Sequence, residues 1–349
     1  MKEKLYIIIL NWNGNQDTIN CLNSIKNSDY INYTIVLVDN GSKKENVIKL
    51  KEWVTEKYSK VVFYNTDEAI LGPNEEKEIE LDNYLSSEKL IFIENSDNLG
   101  FAGGNNVALK YFLKTIDSYA MLLNNDTEVN ENTFSELISF MEENKDFVAV
   151  TPQIRYFQPN DMIWNCGGKI TWFGNRKYYY ERYNIKKVPQ NGYKEITFIT
   201  GCALLFKPKI TGILSDKFFF GEEDLDFSFR QMIDNKKMAC CFSSILYHKV
   251  SSSVNAFKVD IVGHTYLHYI SRLINIKQYS NKVMFIIKVI INLSYAIPMV
   301  LIRYKFTIRQ TYYMIYTIIK ELNRVEKIDK DYCFNSLKEN FNKPASWIN

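Results

Sequence analysis

Short, continuously apolar runs alternate with helical patterns through the first half of the chain. Leu5–Leu10 (LYIIIL) and Tyr33–Val38 (YTIVLV) are apolar throughout and rich in β-branched residues, the pattern of strands covered on both faces. Between them, Thr18–Lys26 places Ile19, Leu22 and Ile25 on one helical face. A second helix is predicted after Ser42, a suitable N-cap, followed by strands at VVFY (61–64), LIFI (90–93) and YAMLL (119–123). A helix from about Gly104 to Lys114 joins the last two. Strands and helices alternating in this way predict an α/β fold with a parallel sheet, and ligands at the carboxyl ends of its strands.

The second half reads differently. A helix to about Asn144 leads into FVAVTPQI, and the aromatic stretch Ile163–Tyr183 has the glycines and β-formers of hairpins. ITFITGCALLFK reads as strand–turn–strand, and the carboxylates of FFFGEEDLDFSFRQMIDNK open an amphipathic helix. From Thr265 the pattern is long and helical. The expected organisation is one domain over 1–260 in two halves (1–130 and 131–260), with an acidic surface insertion at 67–89, and a helical region from 261 to 349.

Charge sharpens this picture. The net charge is only +3, but Asp67–Asp97 holds ten acids and two lysines, whereas Ile261–Lys320 holds eight Lys or Arg and no acid. Such asymmetry points the C-terminal region at something anionic. Val283–Ile302 is apolar apart from Lys288, Asn292, Ser294 and Pro298, and barely long enough to cross a bilayer. The favoured expectation is a helix lying in the membrane interface with Lys288 and Asn292 toward the headgroups, ahead of a buried helix or a true span. The six cysteines form no CxxC pair, and the first apolar run is too short for a signal-peptide core. A cytoplasmic protein on the inner face of the membrane is expected. Nucleic-acid recognition motifs are absent.

Four polar clusters follow apolar runs: NWNG, VDNGS, ENSDNLGFAGGNN and LLNNDTEV. In a parallel sheet these ends share one edge. The glycines Gly100, Gly103 and Gly104 lie at a helix start, where backbone N–H groups can approach a ligand. With TGCALLF and GEEDLDFSFR, these motifs resemble, in order and spacing over residues 4–275, the family 2 glycosyltransferases, in particular the bacterial rhamnosyltransferase-like branch that builds O-antigens and other surface polysaccharides. The resemblance implies a GT-A fold, a nucleotide-diphosphate sugar donor, Mg²⁺ or Mn²⁺, and inversion at the anomeric carbon. It assigns donor contacts to Asn11, Trp12, Asn13, Asp39, Gly100, Phe101, Gly104, Asn105, Asn106, Asn124 and Asn125. The family's DxD falls on Asn124-Asn125-Asp126, which keeps one carboxylate, so Asp126 is the expected metal ligand. Glu128 is a weaker second.

The family's ED pair matches Glu223 and Asp224, with Asp224 the expected general base. An acceptor hydroxyl needs a carboxylate to take its proton while the leaving diphosphate is neutralised elsewhere, so two separated acidic centres are required. His248, near Ser251–Ser253, is a candidate for the metal or diphosphate. His264 and His268 are read as structural, since they lack the HExxH glutamate. The expected acceptor is a glycan, lipid-linked through a polyprenyl diphosphate and met at the membrane surface. A dTDP- or UDP-sugar donor is expected, rhamnose among them. The departure from DxD leaves one alternative, an inactive nucleotide-sugar-binding partner. Residue pattern sets neither the donor sugar nor the oligomeric state.

Overall fold

A computed structural model describes residues 3–115, 118–250, 261–343 and 345. Eleven strands form one sheet, in the order β11-β13-β7-β12-β5-β1-β2-β4-β3 with β6 on β13 and β8 on β7. The first half supplies β1 (Leu5–Asn11), β2 (Tyr33–Asn40), β3 (Lys60–Asn65), β4 (Lys89–Asn95) and β5 (Tyr119–Asn124), paired in parallel as the alternation predicts. Helices α1 (Asn15–Lys26), α2 (Lys44–Lys57) and α5 (Gly100–Leu113) cover its faces. The apolar runs are continuous because both faces are buried. In β1, Ile7 and Ile9 enter one core while Tyr6 and Ile8 enter the other, and β5 divides Met121 and Leu122 in the same way.

The second half turns the sheet mixed. It supplies β6 (Thr127–Val129), α6 (Thr133–Glu143), β7 (Phe147–Tyr156), β8 (Ile163–Asn165), and the ribbon β9 (Gly168–Ile170) and β10 (Arg176–Tyr178). Then come β11 (Tyr193–Ile196), β12 (Ala203–Phe206), α7 (Pro208–Thr211), α8 (Glu223–Ile233) and β13 (Lys237–His248). The strand–turn–strand expected over residues 196–207 separates: β12 lies antiparallel between β5 and β7, while β11 pairs with β13 at the sheet edge.

The acidic insertion, predicted on the surface, forms α3 (Thr66–Leu71), α4 (Glu75–Glu78) and two 3₁₀ turns. It is anchored rather than loose: the Glu78 carboxylate accepts hydrogen bonds from the Tyr64 and Tyr111 hydroxyls at 2.5 and 2.8 Å.

The C-terminal helices are α9 (Ile261–Gln278), α10 (Lys282–Pro298), α11 (Ile308–Glu321) and α12 (Lys330–Leu337), with a π-turn (Met299–Arg303) after α10. They build their own core on α9, where Tyr266, Ile270, Leu273 and Ile276 are fully buried. The stretch Lys282–Arg303 is long and apolar enough to cross a membrane by length and composition. The expected orientation of α10 is corrected. Asn292 is buried and donates to the Phe173 carbonyl (3.1 Å), and Lys288 donates to Ser280 (3.0 Å), so that polar side faces protein. Outward lie Val283, Ile290 and Tyr295, each at least 60% exposed. The reason is local: the half-buried Phe173 main-chain carbonyl next to α10 takes the amide donor.

Candidate functional site

The strand order reverses at β1, which has β2 on one side and β5 on the other. At such a switch point the chains leave in opposite directions and open a crevice. A cavity of about 460 Å³ lies there, against Leu10 and Trp12 at the end of β1, Asn40 at the end of β2, and Asn124, Asn125 and Asp126 at the end of β5.

Of the predicted donor residues, Trp12, Gly100, Phe101, Asn124 and Asn125 line this cavity. The others frame it. Asn11 is fully buried and donates to Asp39 (2.8 Å) while accepting from Gly14 N and Thr18 Oγ1. Asp39 also accepts from Ser42 N (2.9 Å). Burial pushes the Asp39 carboxyl up, with Ser42 and Asn11 opposing. Asn13, in a left-handed conformation (φ 56°), accepts from Lys43 N and Asn46. These three pin the β1 and β2 ends together. Asn40, absent from the sequence assignment, is the hub of the next pair of ends: its amide donates to Asn98 and the Gly100 carbonyl and accepts from Asn95 and Leu99 N.

The glycine-rich segment differs from expectation. The helix begins at Gly100, not near Gly104, and two of its glycines are also required by close approach to protein. Gly100 (φ +76°) lies where a Cβ would meet the Phe219 carbonyl oxygen at 2.1 Å, and Phe101 N donates to that oxygen. A Cβ on Gly104 would meet Leu10 at 2.6 Å. Asn105 and Asn106 do not line the cavity; they bond to the Phe101 carbonyl and to both backbone groups of Leu214. The segment thus seals α5 against the loop before α8.

Asp126 and His248 meet at the cavity. Their oxygen and nitrogen are 3.1 Å apart, both side chains are under one-tenth exposed, and the antiparallel pairing of β6 with β13 aligns Thr127 with His248. Trp164 packs edge-on against the imidazole. Burial lowers the His248 pKa, but Cys202 and the Asp126 carboxylate reverse this and raise it. Cys202 is itself pushed up by burial and is a neutral thiol near pH 7, so the carboxylate provides the support there. His248 Nδ1 is buried with no hydrogen-bond partner among the described residues. A carboxylate oxygen and an imidazole nitrogen converging on a cavity fit a divalent cation whose other ligands come from a diphosphate and water. Among the described residues no group of three or more His, Cys, Asp or Glu could hold a metal by itself. Glu128 is engaged elsewhere, with Lys249 (3.1 Å). Ser251–Ser253 lie outside the described residues.

The second acidic centre opens α8. Glu222 adopts φ 73° and is clamped by Arg272 of α9 through two bonds of 2.7 Å, which hold its carboxyl down at about 2 against burial. Glu223 is buried with Oε2 unpartnered; burial and the neighbouring Asp224 push it up to about 8. Burial also raises Asp224, but Arg176 Nη1 lies 3.2 Å from it and favours its charged form. Burial thus raises both neighbouring carboxyls, and the Arg176 guanidinium makes Asp224 the one better placed to carry the charge. The cavity lining reaches Glu222 and Arg176, so Arg176 lies between Asp224 and that space.

Sequence reasoning missed the far wall. His264, Leu267, His268 and Ser271 of α9 line the cavity, with Phe219 and Phe220. Burial lowers both histidine pKa values, His268 to about 4 with Arg272 contributing, so both imidazoles are neutral at pH 7. Their spacing at i, i+3/i+4 was the available signal: one face of α9 carries all four residues.

Residues 75–212 match the family model described as glycosyl transferase family 2. The low-salt glycan biosynthesis hexosyltransferase Agl10 of Haloferax volcanii is 20% identical over 254 residues, which is 69% of this chain and 66% of that relative, just under two thirds of its length. Residues 1–349 of Staphylococcus aureus TarS superpose with a TM-score of 0.52 at 13% identity, covering 97% of this chain and 89% of that one. The mannosyltransferase PcManGT of Pyrobaculum calidifontis, solved with GDP-Man and Mn²⁺, gives 0.51 at 10% identity, covering 80% and 66%. Over residues 75–212 the chain is similar to family 2 glycosyltransferases, and its fold is the GT-A fold of the structures it superposes on.

Proposed function

We propose that the chain is an inverting glycosyltransferase, moving a hexosyl or deoxyhexosyl group from a UDP- or dTDP-sugar to a hydroxyl of a lipid-linked surface glycan at the cytoplasmic face of the membrane. One observation carries the reading: a cavity at the sheet's switch point has Asp126 and His248 at one wall and, at another, Glu222 and Arg176, with Asp224 directly behind Arg176. Chemistry at an anomeric carbon requires that division. The PcManGT complex with GDP-Man and Mn²⁺ and the hexosyltransferase relative support the donor class.

In this reading Asn124, Asn125, Trp12 and Phe101 orient the donor, and the neutral His264 and His268 hydrogen-bond to its hydroxyls. Asp126 and His248 would hold Mg²⁺ or Mn²⁺, which, when bound, neutralises the leaving diphosphate. Asp224 accepts the acceptor's proton as the acceptor oxygen bonds to the anomeric carbon and the carbon–diphosphate bond breaks. Protonated Glu223 keeps a second negative charge away from Asp224. Arg176 holds the Asp224 carboxylate until an acceptor hydroxyl takes its place.

Asp224→Asn is expected to lower kcat by about 10²–10⁴ while nucleotide-sugar binding, followed by thermal shift, persists. Transfer at the wild-type rate overturns the base assignment. A wild-type chain that binds donor yet turns over neither with water nor with any glycan extract supports the inactive-partner reading instead.

The outward apolar stripes of α10 (Val283, Ile290) and α11 (Ile308, Tyr312), in a region without acids, support seating on an anionic bilayer. Co-sedimentation with phosphatidylglycerol-containing vesicles but not pure phosphatidylcholine, reduced by Ile290→Asp, is expected. Equal recovery with Ile290→Asp refutes that docking.

A further inference from the structure

A second cleft, of about 800 Å³, meets the first at Arg176 and His268, which line both. Its walls are the β9–β10 ribbon, the tyrosines that follow it, β11 and α9. The charge lining it is one-sided. Arg176 and Arg272 are neutralised by Asp224 and Glu222, but Lys169, Lys177 and Lys194 form no ion pair among the described residues. The lining contains a single carboxylate, Glu181. Lys194 rests over the ring of Tyr179, 4.5 Å from its centroid.

The ribbon makes the imbalance sharper. Its register places Lys169 directly opposite Lys177, with both side chains exposed. Like charges directly opposite on paired strands repel, and ribbons usually carry opposite charges or neutral residues there. Nothing in the fold demands two lysines at this pair. An anion seated between them turns the repulsion into two charge-assisted hydrogen bonds. The exposed ring of Tyr183 and the face of Tyr179 beside them offer flat apolar surface to a sugar.

We propose that this cleft receives a phosphate-bearing segment of the acceptor and delivers its hydroxyl to Asp224 from the side of Arg176. The inference rests on the transfer reading above and adds the acceptor's charge to it. The phosphate belongs either to the glycan chain or to the diphosphate of its lipid carrier, and the two sources are separable.

The test uses the full chain and three fluorescent probes: a phosphomannan oligosaccharide, the same oligosaccharide dephosphorylated, and farnesyl diphosphate. Anisotropy titrations are run at low and high salt on wild type, Lys169→Ala/Lys177→Ala and Lys169→Arg/Lys177→Arg. The expected result is binding of at least one phosphate probe, weakened about tenfold or more in the alanine pair, weakened by salt in the wild type, and restored in the arginine pair. Preference for phosphomannan names the glycan chain as the source, and preference for farnesyl diphosphate names the carrier. Equal affinity for the phosphorylated and dephosphorylated oligosaccharides with no farnesyl diphosphate binding, or wild-type affinity in the alanine pair, overturns the proposal. Should the alanine pair melt earlier than wild type, the arginine pair decides, since it must bind like wild type. Thermal stabilisation by UDP with Mn²⁺ is recorded on the same samples. Its absence counts against the transfer reading, whereas its presence beside a charge-blind cleft refutes only this inference.

Discussion

Arg272→Met tests whether α9 is part of the catalytic structure or only packed on it. Arg272 and Glu222 are 5% and 3% exposed in their side chains and share two hydrogen bonds of 2.7 Å. The pair holds the Glu222 carboxyl near 2, from an ordinary 4.5, despite burial. A depressed acid stabilises the fold above its unfolded pKa, and that contribution is lost as pH falls toward the folded value. A depression of that size corresponds to about 3 kcal/mol at pH 7, of which about 2 kcal/mol remains at pH 3.5. Breaking a buried pair typically costs about 3–5 kcal/mol, so the two routes agree. In the variant, Glu222 loses its hydrogen-bonded counter-charge, keeps only the more distant Arg176, and takes up a proton more readily, which shrinks the loss further in acid. Urea denaturation at pH 7 and pH 3.5 measures both. A loss below about 1 kcal/mol at pH 7, or one that does not shrink on acidification, refutes the assignment. Activity is expected to fall by more than the loss of folded protein explains, because Glu223 and Asp224 follow Glu222 directly.

Three further outcomes follow from the same geometry. Glu223, raised to about 8, keeps its proton in the native state at pH values where the unfolded chain has lost it. Wild-type stability therefore falls as pH rises from about 4.5 through about 8, and Glu223→Gln flattens that slope in urea melts; an unchanged slope contradicts the raised carboxyl. Gly100→Ala forces a Cβ onto the Phe219 carbonyl at φ +76° and is expected to destabilise by at least about 2 kcal/mol, read from thermal melts; a neutral result rejects the close approach. Asp126→Asn should abolish the extra stabilisation that Mn²⁺ gives to UDP binding while leaving the metal-free UDP shift; an undiminished increment removes Asp126 from the metal site.

The parallel half of the fold was legible because burial on both faces writes continuous apolar runs such as LYIIIL into the sequence. The ends of those runs located the cavity edge as well. What spacing could not show is how each polar side chain is used there. Asn105 and Asn106 look like ligand contacts in a row of letters, yet one turn of helix aims them at the Phe101 and Leu214 backbone. Gly100 signals a close approach, but the sequence is silent on what approaches. The α9 wall was hidden for a different reason. His264 and His268 sit in a helix whose lining role depends on contacts with residues some 50 positions away, such as that between Arg272 and Glu222. Lys288 and Asn292 show the same limit: four apart, they define a face, and only the Phe173 carbonyl decides which way it turns.

The pairing of Asp126 with His248 joins points 122 positions apart, and Arg272 closes on Glu222 later still. During synthesis the first five strands and the amide-linked loops around Asn40 can assemble from roughly the first third of the chain. His248 and Arg272 have not yet been made at that stage. A ribosome-bound chain therefore passes through a long interval in which the nucleotide frame exists without the residues read here as its metal and base supports. A chain cut between β6 and β13 keeps the parallel strands and Asp126 but has neither His248 nor Arg272, so each carboxylate they support stands without its partner.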